Sequence, residues 1–185
     1  MTFQVSKRLI TVDDYHKMAE VGILPDRGIE LINGEIIEMS PIGGKHITIV
    51  NRLNKLLNTI LGDNAIISVQ NPIIASDLSE PEPDISILKY RADFYDGQTP
   101  DAKDTLLVIE VAGSTLVYDR EVKSAVYAAS GIPEFWIVNI EECTIEAYWE
   151  PTAKDYKFRA LLRSSDVAEA KFFDFKMVVK AIFPG

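Results

Sequence analysis

The sequence predicts an α/β (α+β) fold, a mixed β-sheet flanked by helices, with an extra N-terminal hairpin and C-terminal antiparallel strands. Three observations carry that expectation. The run Thr105-Leu106-Leu107-Val108-Ile109-Glu110-Val111 is apolar on both faces apart from one acid, as a buried central strand is. A helix-periodic stretch closed by Gly131 and Pro133 follows it and leads to a second buried run, Glu134-Phe135-Trp136-Ile137-Val138. That order implies one right-handed crossover between parallel strands. Residues 143–150 and 156–162 alternate apolar and polar, the pattern of an antiparallel hairpin with one wet face.

The chain of 185 residues is expected to form a single domain over residues 1–185, with no repeat, linker or low-complexity segment. Forty-seven per cent hydrophobic and 25 per cent charged residues fit a globular protein. Met1 to Arg8 lacks the apolar core of a signal peptide, and no apolar run approaches the roughly 20 residues that span a bilayer. No membrane role is therefore expected. A single cysteine, Cys143, excludes internal disulfides and fits a cytoplasmic location; it falls in an alternating pattern and reads as a small core residue. The net charge of -9 argues against simple nucleic-acid binding, which normally shows a basic stripe. A divalent ion would cancel part of that negative field.

In chain order, Thr11 is an N-cap, Asp13 and Asp14 suit the first turn of a helix, and Gly22 with Pro25 ends it. His16 on that helix reads as surface. Residues 29–32 and 35–39 flank Asn33-Gly34, a strong hairpin signal. The loop 40–45 lacks phosphate-loop spacing. Residues 46–61 form an amphipathic helix with an apolar stripe of Val50, Leu53, Leu57, Ile60 and Leu61, ended by Gly62. His46 stands in its first turn, where it either meets a ligand or lies in solvent. Strands are expected at 65–69 and 72–75. The Pro-rich connection Ser79-Glu80-Pro81-Glu82-Pro83 then delivers Asp84 into the strand 85–88. A strand or two is expected in 172–183.

The stretch from Pro83 to Gly131 carries the chemistry. Glu110, inside the most apolar strand, forfeits hydration worth several kcal/mol unless a cation or donors replace the water. Either it pairs with a Lys or Arg at the strand end, or it converges with Asp84 on a divalent metal beside Lys123. Asp119, Lys123 and Tyr127 follow at four-residue intervals, so Asp119 and Lys123 share a helix face; read alone, they are a solvated ion pair. Ser114 or Thr115 is placed to cap that helix.

Pro83-Asp84, Glu110-Val111, Ser114-Thr115, Asp119, Lys123, Tyr127, Gly131 and Trp136, in that order, resemble the Uma-two family, grouped with restriction endonucleases in the nuclease superfamily named for its P-D-(D/E)-x-K motif. Glu30-Leu31-Ile32-Asn33-Gly34-Glu35 and Ser40-Pro41 with His46 are similar to that family's N-terminal half, so the resemblance spans nearly the whole chain. It implies a restriction-endonuclease-like core, Asp84 and Glu110 as Mg²⁺ (or Mn²⁺) ligands, Lys123 as catalytic lysine, a DNA substrate and, by analogy, a homodimer. Two departures stand out. The superfamily's lysine usually lies two residues past the second acid, where this chain has Ala112, so Lys123 must reach in from the next helix. The acid often found on the preceding helix is missing, and His46, Glu30, Glu35 or Gln70 could fill its place.

The expected function is metal-dependent hydrolysis of DNA phosphodiesters, with Asp84 and Glu110 on the ion, Asp119 positioning Lys123, and Lys123 stabilising developing charge. The alternatives are a catalytically degenerate module that binds nucleic acid or a protein, and a hydrolase of a smaller phosphoester. Two histidines and one cysteine argue against zinc.

Overall fold

The computed structural model describes residues 6–25 and 27–183. The reading of Met1 to Arg8 as lacking a signal peptide therefore falls largely outside the described residues. Helix α1 (Val12–Glu20) opens with a reciprocal cap in which Asp14 N–H donates to the Thr11 hydroxyl and Thr11 N–H to the Asp14 carboxylate. His16 is less open than expected, because its Nε2 lies 2.7 Å from Oε2 of the buried Glu80. Strands β1 (Ile29–Ile32) and β2 (Glu35–Glu38) form the expected hairpin, with Asn33 and Gly34 both at positive φ.

Helix α2 (Gly44–Leu61) precedes a six-stranded sheet of β3 (Ala65–Val69), β4 (Ile85–Lys89), β5 (Thr105–Ala112), β6 (Glu134–Asn139), β7 (Thr144–Pro151) and β8 (Tyr156–Leu162), neighbours in chain order. β5 and β6 are parallel and every other neighbouring pair in this sheet is antiparallel. The β5–β6 connection runs through α3 (Leu116–Tyr118), a π turn (Asp119–Lys123) and α4 (Ser124–Ala129). Strands β9 (Val167–Glu169) and β10 (Lys176–Val178) form a second small pair. No helix among the described residues is long and apolar enough to cross a membrane.

Alternation along the strands divides the core between two faces. Ile85, Ile87, Leu107, Ile109 and Val111 pack with Ile49, Val50, Leu53, Leu57 and Leu61 of α2. Val108, Ala112, Phe135 and Ile137 pack with Tyr127 and Ala128 of α4. Glu110 has the parity of Val108 and Ala112, so strand geometry turns it towards the crossover helix.

Three local expectations are corrected. Ile60 is exposed and Ile49 is buried instead; the two project within about 20° of each other, so position along the helix separates them, with Ile49 packed in the core and Ile60 in the last turn. Residues 72–75 form no strand; one bridge, Ile74 to Asp101, is present, while Ile73 and Ala75 donate to the loop carbonyls of Pro81 and Ser79. Cys143 lies in the turn before β7 at φ 51° and is only partly buried.

Gly34 joins turn to packing. It needs φ 76°, and a Cβ there would fall 2.6 Å from the Leu9 Cβ. Gly34→Ala is expected to cost about 2–4 kcal/mol, combining left-handed strain with overpacking. Urea denaturation measures it; a loss below about 1 kcal/mol would show that the hairpin moves freely off residues 9 and 10.

Candidate active site

Antiparallel register sets Ile85 opposite Ile109, so the next residues along, Asp84 and Glu110, come side by side at the end of β4. Val111 N–H donates to Asp84 Oδ2 at 2.8 Å, and Asp84 N–H lies 3.4 Å from Glu110 Oε2. The sequence-predicted pair of acids is thus brought together by the β4–β5 ladder.

Lys123 reaches in from the π turn. Its Nζ lies 3.0 Å from Glu110 Oε1 and 3.1 Å from Glu30 Oε2, with the lysine side chain 8% and the Glu110 side chain 5% exposed. Tyr127 donates its hydroxyl to the same Glu110 oxygen at 2.7 Å. In a regular α-helix each four-residue step overshoots a full turn by about 40°, so residues 115, 119, 123 and 127 would fan round the axis. The wider π turn, closed by Ser124 N–H on the Asp119 carbonyl, absorbs part of that overshoot and keeps Asp119 and Lys123 buried.

The expectation of a solvated Asp119–Lys123 ion pair is corrected. Both groups are buried, and Lys123 is claimed by Glu110 and Glu30 instead. Asp119 accepts from the Thr115 hydroxyl at 2.8 Å, which also takes Thr115 away from capping the helix backbone. Asp119 acts on the lysine through its field.

Among the four residues offered for the missing helix acid, Glu30 is the carboxylate in the cluster. It sits on β1, buried, and its Oε2 also accepts Glu82 N–H at 3.3 Å. Its sequence signal matched that of Glu110: an acid inside a short apolar strand. His46 also belongs to the site, from the first turn of α2, with Nε2 3.0 Å from Asp84 Oδ2 and Nδ1 buried without a partner among the described residues. Gln70 adjoins through its backbone, donating N–H to the Asp84 carbonyl at 3.1 Å, while its side chain is exposed. Glu35 is not in the site; register sets it opposite Ile32, on the face that also carries Glu30, but at the turn end of the hairpin, where it is exposed and paired with Lys7 at 2.6 Å. Sequence reasoning missed Tyr118, whose buried hydroxyl has no partner among the described residues. Burial and the neighbouring Glu30 push that phenol up to about 12, against the opposing pull of Lys123.

The cluster is short of positive charge. Burial pushes Glu110 up to about 8, with Asp84 and Asp119 adding to the rise and Lys123 opposing it. Burial likewise raises Asp119 to about 6 against the pull of Lys123 and Thr115. For Lys123, burial pulls down, but Glu110, Glu30 and Asp119 together outweigh it and hold the ammonium protonated.

These acids keep acceptor oxygens that the protein does not use. Both hydrogen bonds to the Asp84 carboxylate among the described residues fall on Oδ2, so Oδ1 is uncommitted. Glu110 commits Oε1 to Lys123 and Tyr127, and its Oε2 receives only the long Asp84 N–H contact. No set of three His, Cys, Asp or Glu side chains among the described residues makes a ready metal cage. Two carboxylates with free oxygens are nonetheless the donor set of Mg²⁺, which keeps several waters.

A group whose folded pKa is raised stabilises the fold below its unfolded pKa and loses that contribution as pH climbs through the folded value. For Glu110 the window runs from 4.5 to about 8, and for Asp119 from 3.8 to about 6. Metal-free protein is therefore expected to lose on the order of a few kcal/mol across that range, and Glu110→Gln to flatten most of the slope above pH 6. Urea melts at several pH values measure both; parallel profiles would remove Glu110 as the source.

Comparisons with known proteins agree with this architecture. A family model described as "Putative restriction endonuclease", Uma2, matches residues 12–179. The fold is similar to the crystal structure of "a putative nuclease belonging to DUF820" from Anabaena variabilis, with TM-score 0.70 and 19% identity over 94% of this chain and 97% of that one. No curated protein matches. The match of the family model over most of the chain places this protein in the Uma2 family.

Proposed function

We propose that the protein is a nuclease that hydrolyses DNA phosphodiester bonds with the help of Mg²⁺ or Mn²⁺. The observation that carries this reading is the convergence of partly buried Asp84 with buried Glu110 and Lys123 in one cluster, with an oxygen of each acid left for a ligand. The family match supports a nuclease.

Asp84 Oδ1 and Glu110 Oε2 would hold the cation, which when bound activates a water and offsets charge gathering on the phosphate. His46 and Val111 N–H fix the Asp84 carboxylate through its other oxygen. Tyr127 and Lys123 do the same for Glu110. Lys123, pinned between Glu30 and Glu110, is a fixed positive charge beside the reacting phosphate, and because it is already oriented it stabilises the transition state without reorganising. It takes the part of the lysine that the superfamily more often has at the position of Ala112, which here is fully buried against the Tyr127 cluster. A Lys123 ammonium turned away from the acids would favour the degenerate alternative; the contact with Glu110 favours the catalytic reading.

The net charge of -9 keeps a second reading in play, a smaller phosphoester substrate. Supercoiled DNA and bis(p-nitrophenyl) phosphate, each with Mn²⁺, separate the two: preference for the small diester would favour the second reading. Asp84→Asn is expected to lose Mn²⁺ binding by calorimetry. Lys123→Met is expected to bind Mn²⁺ at least as well as wild type yet nick DNA ~10²-fold more slowly. It should also cost about 3–5 kcal/mol in the metal-free protein, since two buried acids lose their cation, and Mn²⁺ should restore part of that. Equal nicking by wild type and Lys123→Met would remove Lys123 from the mechanism.

A further inference from the structure

A second charged cluster lies on the same face of the sheet. Register carries a lateral row from Glu110 on β5 to Ile137 on β6 and Glu146 on β7. Two strand spacings place Glu146 roughly 10 Å from Glu110 across the sheet. Glu146 is fully buried and takes four groups: Arg120 Nε at 2.9 and 3.1 Å, Arg120 Nη2, Arg159 Nη2 at 2.9 Å and the Tyr148 hydroxyl at 2.6 Å. Arg120 comes from the π turn that also supplies Asp119 and Lys123, and Arg159 from the edge strand β8. The Arg159 guanidinium lies over the Tyr148 ring, 5.5 Å from its centroid.

This arrangement holds more than anchoring requires. Arg120 alone ties the crossover helix to β7. Arg159 adds a second positive charge to one carboxylate, so the cluster carries one net positive charge in a chain of net charge -9. The arginine side chains are 35% and 53% exposed, and Arg120 Nη1 and Arg159 Nε and Nη1 donate to nothing among the described residues. Their heads are held by Glu146 and Tyr148, so little freedom remains to be lost on binding an anion. A guanidinium fork with free N–H groups fits phosphate oxygens.

We propose that Arg159, seconded by Arg120, binds a non-scissile backbone phosphate of duplex DNA and sets the register of the strand over Asp84 and Glu110. The inference rests on the nuclease reading for the identity of the polymer and adds to it where the backbone is held. Contacts of this kind position the duplex without reading sequence, which suits a chain whose acidity would otherwise repel DNA.

The test is equilibrium binding of a labelled DNA duplex to full-length protein in EDTA, across a range of salt concentrations, for wild type, Arg159→Ala and Arg159→Lys. Loss of one phosphate contact should make the slope of log Kobs against log salt shallower by about 0.9 and weaken binding roughly fivefold to tenfold at 0.1 M salt, equally for unrelated sequences. Arg159→Lys should keep the wild-type slope. Arg159 is more than half exposed, so thermal melts of the three proteins should agree closely. An unchanged slope in Arg159→Ala, even with weaker binding, overturns the proposal. Wild type that binds no duplex at low salt overturns it together with the DNA reading. The expected slopes without nicking in Mn²⁺ uphold the clamp and remove the catalytic reading alone.

Discussion

One buried ammonium holds the candidate site together. Lys123 is shared between Glu30 on the N-terminal hairpin and Glu110 on the central strand, so a single cation joins hairpin, sheet and crossover helix. Burying each charge costs several kcal/mol unless it is closely paired. Three acids around one lysine cannot all be paired, and the raised values of Glu110 and Asp119 express that shortage. The fold tolerates the tension because the cluster sits on a well-packed base: Ile137, Phe135 and Tyr127 are fully buried beneath or beside it.

The backbone that delivers these groups is regular except where function asks for irregularity. Register in β4 and β5 is enough to pair Asp84 with Glu110. The π turn is the exception, and it serves two directions at once: Asp119 and Lys123 turn inward to the acids while Arg120 turns aside to Glu146. A straight α-helix with the same sequence would spread these side chains round its axis. The hairpin is similarly committed, since the paired backbone bonds between Leu31 and Glu80 tie it to the segment leading into Asp84. Glu30 therefore reaches the lysine through a contact between residues distant in sequence.

The structure also softens the conflict between acidity and a nucleic-acid substrate. Net charge is a sum over the molecule, whereas a polymer meets one face. On the face that carries Glu110, Arg120 and Arg159 outnumber the one acid they share. The acids of the candidate site are those that a bound cation would offset.

Much of this was legible in the chain itself, because local rules operate on neighbours. Asn33-Gly34 set the hairpin, Gly131 with Pro133 ended the crossover helix, and the two apolar runs marked the central parallel strands. Glu110 and Asp84 stood out because an acid in or beside an apolar strand needs a reason. The errors fall where neighbours do not decide: residues 72–75 were taken by loop carbonyls instead of a ladder, and Asp119 lost its expected partner Lys123 to Glu110 and Glu30 and accepts from Thr115 instead. Choosing Glu30 over Glu35 required the docking of the hairpin, and the Glu146 arginine pair required β7 to lie beside β6 with β8 beyond it. Periodicity, turn chemistry and apolar content are properties of adjacent residues, so the sequence alone determined the elements and the acids worth watching. Which charges meet depends on packing between segments far apart in the chain, where desolvation makes each pairing strong, and only the tertiary structure decided that.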